Sequence, residues 1–298
     1  MEQLVNTPSS NLCAMVAMEG VVGVGTVVGR ELLKPTPAAD AVLAEIARDA
    51  PEMLAASRLN AEIILARKQI VHRIVTPIGR WFAKQPYSED DFETDLAERM
   101  VWIPESDIVD PNPIVAGPAL DGLSYSLDEP NLKELYLQLL ATACDGRDTE
   151  AAHPGFAQVI RQLAPSEVRS LQVILGSSSL PIVTVHRQIG PLSRRIVFEN
   201  VLRYVEDDTG AQTTQLTDPA RIDNWIRLGL VSVTYSASLA DGSQYKWASV
   251  SREAIDARDR FQGAGEEGEG GITLERGILA PTAFGKAFAN AVGMTRIG

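Results

Sequence analysis

Cys144 and His153, with Asp145 and Asp148 between them, are the nearest this chain comes to a nucleophile, a base and an orienting carboxylate. A thiol attacks a carbonyl as its thiolate, which needs a base within hydrogen-bond reach. The surroundings argue against that use. Cys144 closes an apolar helical stripe, where a thiol packs as a small hydrophobe, and His153 directly precedes Pro154, where an imidazole caps a helix or braces a turn. Asp121, Asp128, Glu129 and Asp145 could hold a hard cation only if folding brought them together, and helix caps and solvated faces account for them more simply. Glu89, Asp90, Asp91, Glu93 and Asp95 crowd the first turns of a helix, where the positive helix end favours acids, so they read as a solvated face rather than a metal cluster. His72, among Arg67, Lys68 and Arg73, reads as an exposed or capping histidine rather than a ligand. No HExxH, Walker loop, GxSxG or EF-hand loop is present. No catalytic, cofactor-binding or metal-binding residue is therefore assigned, no cofactor is expected, and the chain reads as a non-enzymatic protein.

The elements that carry these residues follow from composition and periodicity. The 298 residues suffice for a sizeable core and suggest about two domains, and 45% apolar with 22% charged residues fits a globular protein. A formal charge of −12 disfavours a general nucleic-acid binder, since phosphate neutralisation needs a basic face. Cys13 and Cys144 share no CxxC or CxxH spacing, so neither a disulfide framework nor zinc is suggested. Without a positively charged leader, the expected location is cytoplasmic.

Residues 109–163 organise the middle of the chain. Pro111-Asn112-Pro113 leads into a helix with Val115, Leu120 and Leu123 on one face, and Pro130 opens a second carrying Leu132, Leu135, Tyr136, Leu139, Leu140 and Ala143. His153-Pro154 begins a third with Phe156, Val159, Ile160 and Leu163. Three short helices cannot each hide an apolar stripe alone, so they must pack together. A fourth, Glu167 to Leu175, follows.

Upstream, 12–29 is apolar and glycine-rich, with Glu19 its one charge. Ala17, Val21, Gly25 and Gly29 make a small-residue ridge suited to an oligomer contact. The run is short for a membrane span, so membrane contact is the alternative reading. After Lys34-Pro35-Thr36-Pro37, helices are expected over 38–50 and from Glu52 to about Val75, the second with Leu54, Leu59, Ile63, Leu65, Ala66, Ile70 and Ile74 as its apolar set.

Beyond Leu180 the β-branched runs 181–186 and 195–205 could pair as strands, or the second could be helical. A helix over 220–228, a strand over 230–235, a long excursion through the acidic glycine-rich 263–271, a strand over 272–279 and a closing helix resemble a winged-helix order. The helix before the wing offers Arg221 and Arg227 beside Asp218 and Asp223, which favours protein contact over DNA. The expected fold is mainly α, α+β overall, in three regions: a helical 1–103, a central helical module 104–176 and a smaller winged-helix-like 177–298.

An ordered series of short motifs now carries a resemblance. Pro111-Asn112-Pro113-Ile114-Val115-Ala116-Gly117-Pro118-Ala119-Leu120, Glu134-Leu135-Tyr136, Leu139-Leu140-Ala141-Thr142-Ala143, His153-Pro154-Gly155-Phe156, Ile160-Arg161-Gln162-Leu163-Ala164-Pro165, Arg227-Leu228-Gly229-Leu230 and Thr282-Ala283-Phe284-Gly285-Lys286-Ala287-Phe288 together resemble the bacterial Abi-alpha, or abortive infection alpha, family over roughly 103–291. The resemblance implies a role in defence against phage, in which an infected cell arrests or dies before phage release. It supplies no catalytic residues. Asn112, Gly117, Pro118, His153 and Pro154 are expected to be architectural, and Leu132, Leu135, Tyr136 and Leu139 to offer an interaction face for a protein partner or self-association. Two alternatives stay open: a membrane-acting effector using 12–29, and a winged-helix DNA-binding regulator.

Overall fold

The computed structural model describes residues 59, 62–72, 89–190, 192–206, 213–216, 219–261 and 271–295, with backbone alone for 204–206 and 213–216. The expected ridge Ala17, Val21, Gly25 and Gly29, the helix over 38–50 and most of the acidic glycine-rich stretch lie outside the described residues. Among the described residues no helix is long and apolar enough to cross a membrane. The chain forms two compact units, Met1–Asp110 and Pro111–Gly298.

In the first unit, helix α1 (62–72) buries Ile64, Arg67 and Val71, spaced by three and four residues, while Leu59 and Leu65 are exposed. The inward face is thus rotated from the expected one, because Arg67 rather than an aliphatic residue occupies its centre. The Arg67 guanidinium donates to the Ile103 carbonyl. Helix α2 (Glu89–Arg99) has its acids at the N-terminal turn as expected, but the solvated-face reading fails at two positions. Glu93 and Asp95 are buried beside Phe92 and Leu96. Arg99 answers part of that buried charge, with Nη1 at 3.0 Å from the Asp95 carbonyl and 3.9 Å from its carboxylate.

The second unit opens with α3 (Pro113–Ser124) and α4 (Pro130–Ala143), each begun by a proline whose missing N–H costs nothing at a helix start. A short α5 (Phe156–Arg161) and then α6 (Val168–Gly176) follow. Phe156, Val159, Ile160 and Leu163, expected to face inward at α5, are buried, and so are Val168, Leu171, Ile174 and Leu175 of α6.

The two β-branched runs do pair. β1 (Leu180–Gly190) and β2 (Ser193–Glu206) form one long antiparallel hairpin, with Ile182 opposite Leu202 and Arg187 opposite Arg195. With β3 (Thr213–Leu216), β4 (Val231–Thr234) and β5 (Ile272–Pro281) they make a five-stranded antiparallel sheet of order β3-β2-β1-β5-β4. Helix α7 (Pro219–Arg227) precedes β4, and α9 (Ala283–Ala291) follows β5. The architecture is α+β. Along the chain the order here is α7-β4-β5, and within the long excursion expected between the two strands lie a 3-10 helix (Gly242–Val250) and α8 (Arg252–Phe261).

Neither segment carries a long apolar stripe: the first mixes apolar with small polar residues, and α8 sets its few apolar residues among charges. Tyr245, Ala248 and Ala257 nonetheless pack on Val183, Val185 and Val201 to cover one face of the sheet. The Tyr245 hydroxyl donates to the Gly277 carbonyl at 2.8 Å and accepts the Leu239 N–H at 2.9 Å. Helix α6 packs on β2 and β5, and α7 on β2 and β4. A register break in β2 places Asn200 at φ 54°, where asparagine is tolerated better than most residues. Its amide donates to Asp223 of α7 at 2.9 Å and accepts from the Tyr235 hydroxyl at 3.0 Å.

Candidate functional site

Helices α3 and α4 lie along one another and α5 closes against both. Between them opens a cleft of about 280 Å³ lined by Gly122, Tyr125, Ser126, Leu132, Tyr136, Ile160 and Arg161. Gly122 makes it possible. A Cβ at that position would stand 2.3 Å from the Tyr136 hydroxyl oxygen, so only glycine lets the ring lie on the α3 backbone. Tyr136 is 1% exposed, and its hydroxyl points at the Ala157 carbonyl at 3.5 Å. Burial pushes the phenol pKa up to about 12, so it stays protonated. The Ser126 hydroxyl donates to the Gly122 carbonyl at 3.0 Å.

The rim is of different character. Tyr125 is 75% exposed, and Arg161 reaches across to Asp121 at 3.4 Å in a solvent-exposed ion pair. Such a pair is worth little by itself, and a competing anion could displace it. Half-buried Leu132 is the apolar surface the cleft offers, since Ile160 and Tyr136 are buried, and Arg161 at the rim can meet a carboxylate. The Ser126 hydroxyl is spent on a backbone carbonyl and the Tyr136 phenol is held neutral.

The expected interaction face divides here. Leu132, half-buried, lines the cleft and offers surface to a partner, whereas Tyr136, Leu135 and Leu139 are 1%, 3% and 0% exposed, Tyr136 forming the cleft's wall from inside the unit. Sequence reasoning missed Gly122, Tyr125 and Arg161. One signal was available: a glycine inside an apolar helical stripe costs about 1 kcal/mol, and close approach of another group is a common reason for one.

The architectural residues have distinct fates. Asn112 caps α3, its side chain accepting the Ile114 N–H at 3.0 Å, and Pro118 lies within that helix. Gly117 meets nothing, since a Cβ there would enter open space. His153 accepts the Gly155 N–H through Nδ1 at 3.0 Å, and its ring stands edge-on to Phe284 of α9 with centroids 5.8 Å apart. Pro154 is exposed in the turn that follows. Phe156 lies 5.3 Å from Phe284 and 5.5 Å from Phe288, so motifs far apart in sequence meet in one aromatic cluster. Thr282 links them to Gly229-Leu230: its N–H donates to the Leu230 carbonyl at 3.0 Å, and its hydroxyl caps α9 by accepting the Gly285 N–H at 2.8 Å. A Cβ on Gly285 would lie 2.0 Å from the Leu230 carbonyl oxygen. Cys144 is buried at the end of α4. Asp145, which follows it, forms a two-pronged ion pair with Arg147 at 2.7 and 2.8 Å.

The profile of the family described as abortive infection alpha matches residues 84–292, beginning upstream of the first motif at Pro111. No curated protein and no solved structure matches the chain.

Proposed function

The chain belongs to the abortive infection alpha family, and from that premise we propose that it serves bacterial defence against phage without being an enzyme, by binding a protein partner through the α3-α4-α5 cleft. The observation that carries this reading is the cleft itself: half-buried Leu132 beside an exposed tyrosine and arginine, residue types enriched where proteins anchor one another. The partner it fits is a segment presenting an apolar side chain next to a carboxylate, which would take Arg161 from Asp121. The arginines of α7 support protein contact over DNA. Arg221 reaches Ser166, and Arg227 donates to Gln162 at 2.9 Å, so both are used within the chain.

The test is a phage challenge of cells expressing the intact chain or the Tyr125→Ala/Arg161→Ala double variant, with circular dichroism of both purified proteins. The double variant is expected to lose protection while keeping its helical spectrum. Full protection from a folded double variant removes the cleft from the mechanism.

A further inference from the structure

Two helices of the first unit bring together side chains that the sequence scatters. His72 ends the described part of α1, and Glu89 and Glu93 stand one helical turn apart on α2, which puts both carboxylates on the same side of that helix. Each of the three offers one ligand atom, and these atoms all lie within 4.8 Å of one another. His72 Nδ1 is hydrogen-bonded to Glu93. The Glu93 side chain is 8% exposed while that of His72 is 60% exposed, so a carboxylate withdrawn from water faces an imidazole open to it. The neighbouring Lys68 is paired with Asp90.

We propose that His72, Glu89 and Glu93 form a binding site for a divalent ion of the zinc class, which clips α1 to α2. Metal–donor distances of about 2.0–2.2 Å set donors around one ion roughly 3–3.6 Å apart, so the three atoms need to close by only about an ångström. Two of the three donors sit on exposed side chains, which can make that movement. A set that mixes imidazole nitrogen with carboxylate oxygen suits zinc, whereas calcium and magnesium take oxygen donors alone. Three protein ligands leave the remaining positions to water. The ion would also offset the burial of the Glu93 charge, which is costly without a counter-charge. This site is independent of the cleft in the second unit.

The experiment uses the untagged full chain stripped with EDTA and titrated with zinc chloride by calorimetry. One site is expected that weakens at least about tenfold in Glu89→Gln and in His72→Ala. Glu89 is exposed, so Glu89→Gln retains the fold, and circular dichroism verifies it. Cobalt(II) bound in place of zinc is expected to give a visible spectrum that His72→Ala alters. Zinc binding of unchanged affinity in both variants, or no zinc binding by the native chain, overturns the proposal. Equal affinity for magnesium overturns the zinc-class assignment.

Discussion

In the second unit three close packing contacts join distant segments, Phe156 between Phe284 and Phe288, the Tyr136 ring on Gly122 and the Leu230 carbonyl against Gly285, beside hydrogen bonds such as Asn200 to Asp223. In the described part of the first unit a small apolar core that includes Val71 and Phe92 is accompanied by charged or polar contacts between segments: Arg67 on the Ile103 carbonyl, Lys68 on Asp90, His72 on Glu93. Packing contacts depend on volume and are nearly indifferent to pH. Charged contacts depend on protonation, salt and bound ions, and tolerate changes of shape. The His72–Glu93 contact is therefore of the kind that responds to conditions, and the Phe156 and Gly122 contacts of the kind that fix a shape.

The largest effect that tests this contrast is expected from Phe156→Ala. Removing a ring that is 1% exposed from a three-ring cluster should cost about 3–5 kcal/mol in urea unfolding. A loss under about 1 kcal/mol would mean the aromatic cluster is not what closes the second unit.

A smaller and sharper test sets two glycines of one helix against each other. Gly122→Ala drives a methyl into the Tyr136 ring and should destabilise by about 1–3 kcal/mol, whereas Gly117→Ala meets open space and should stabilise by about 0.5–1 kcal/mol. Equal effects in thermal unfolding would break the claim that steric fit governs this unit.

The smallest effect belongs to the charged side. The hydrogen bond from His72 to Glu93, and then the charge of that carboxylate, raise the His72 pKa above the ordinary 6.5. A raised histidine pKa stabilises the fold fully below the unfolded value, and the contribution fades as pH rises through the folded one. NMR of the imidazole protons in EDTA should give a midpoint above 6.5, which Glu93→Gln brings down. A midpoint unmoved by Glu93→Gln would show that the two do not interact in solution.

Much of the second unit was legible in the sequence. Proline at the start of α3 and α4 and apolar residues at spacings of three and four locate the helices, while the β-branched runs over 181–205 leave the hairpin as one of two readings that only the pairing decided. In α1 the same reasoning chose Leu59 and Leu65, both exposed, and passed over Ile64 and Val71, both buried, because an arginine occupies the middle of the inward face. The helices between β4 and β5 stayed hidden for a similar reason: Tyr245, Ala248, Ala254 and Ala257 are set among charged and small residues. At the cleft, Leu132 and Tyr136 were chosen as contact residues, while Arg161 and Tyr125 gave no sign of converging.

What the sequence by itself determined is local: which segments wind into helices, which side of most of them is apolar, and the motif series that places the chain in its family. Periodicity encodes this because a helix or strand repeats its geometry every few residues. The tertiary structure alone decided that Gly122 receives Tyr136, that Asn200 sits in the left-handed region to join α7 to β2, and that His72 meets Glu89 and Glu93. Such meetings depend on how separate elements dock, and docking is set by the summed packing of many side chains rather than by the spacing of any few along the chain.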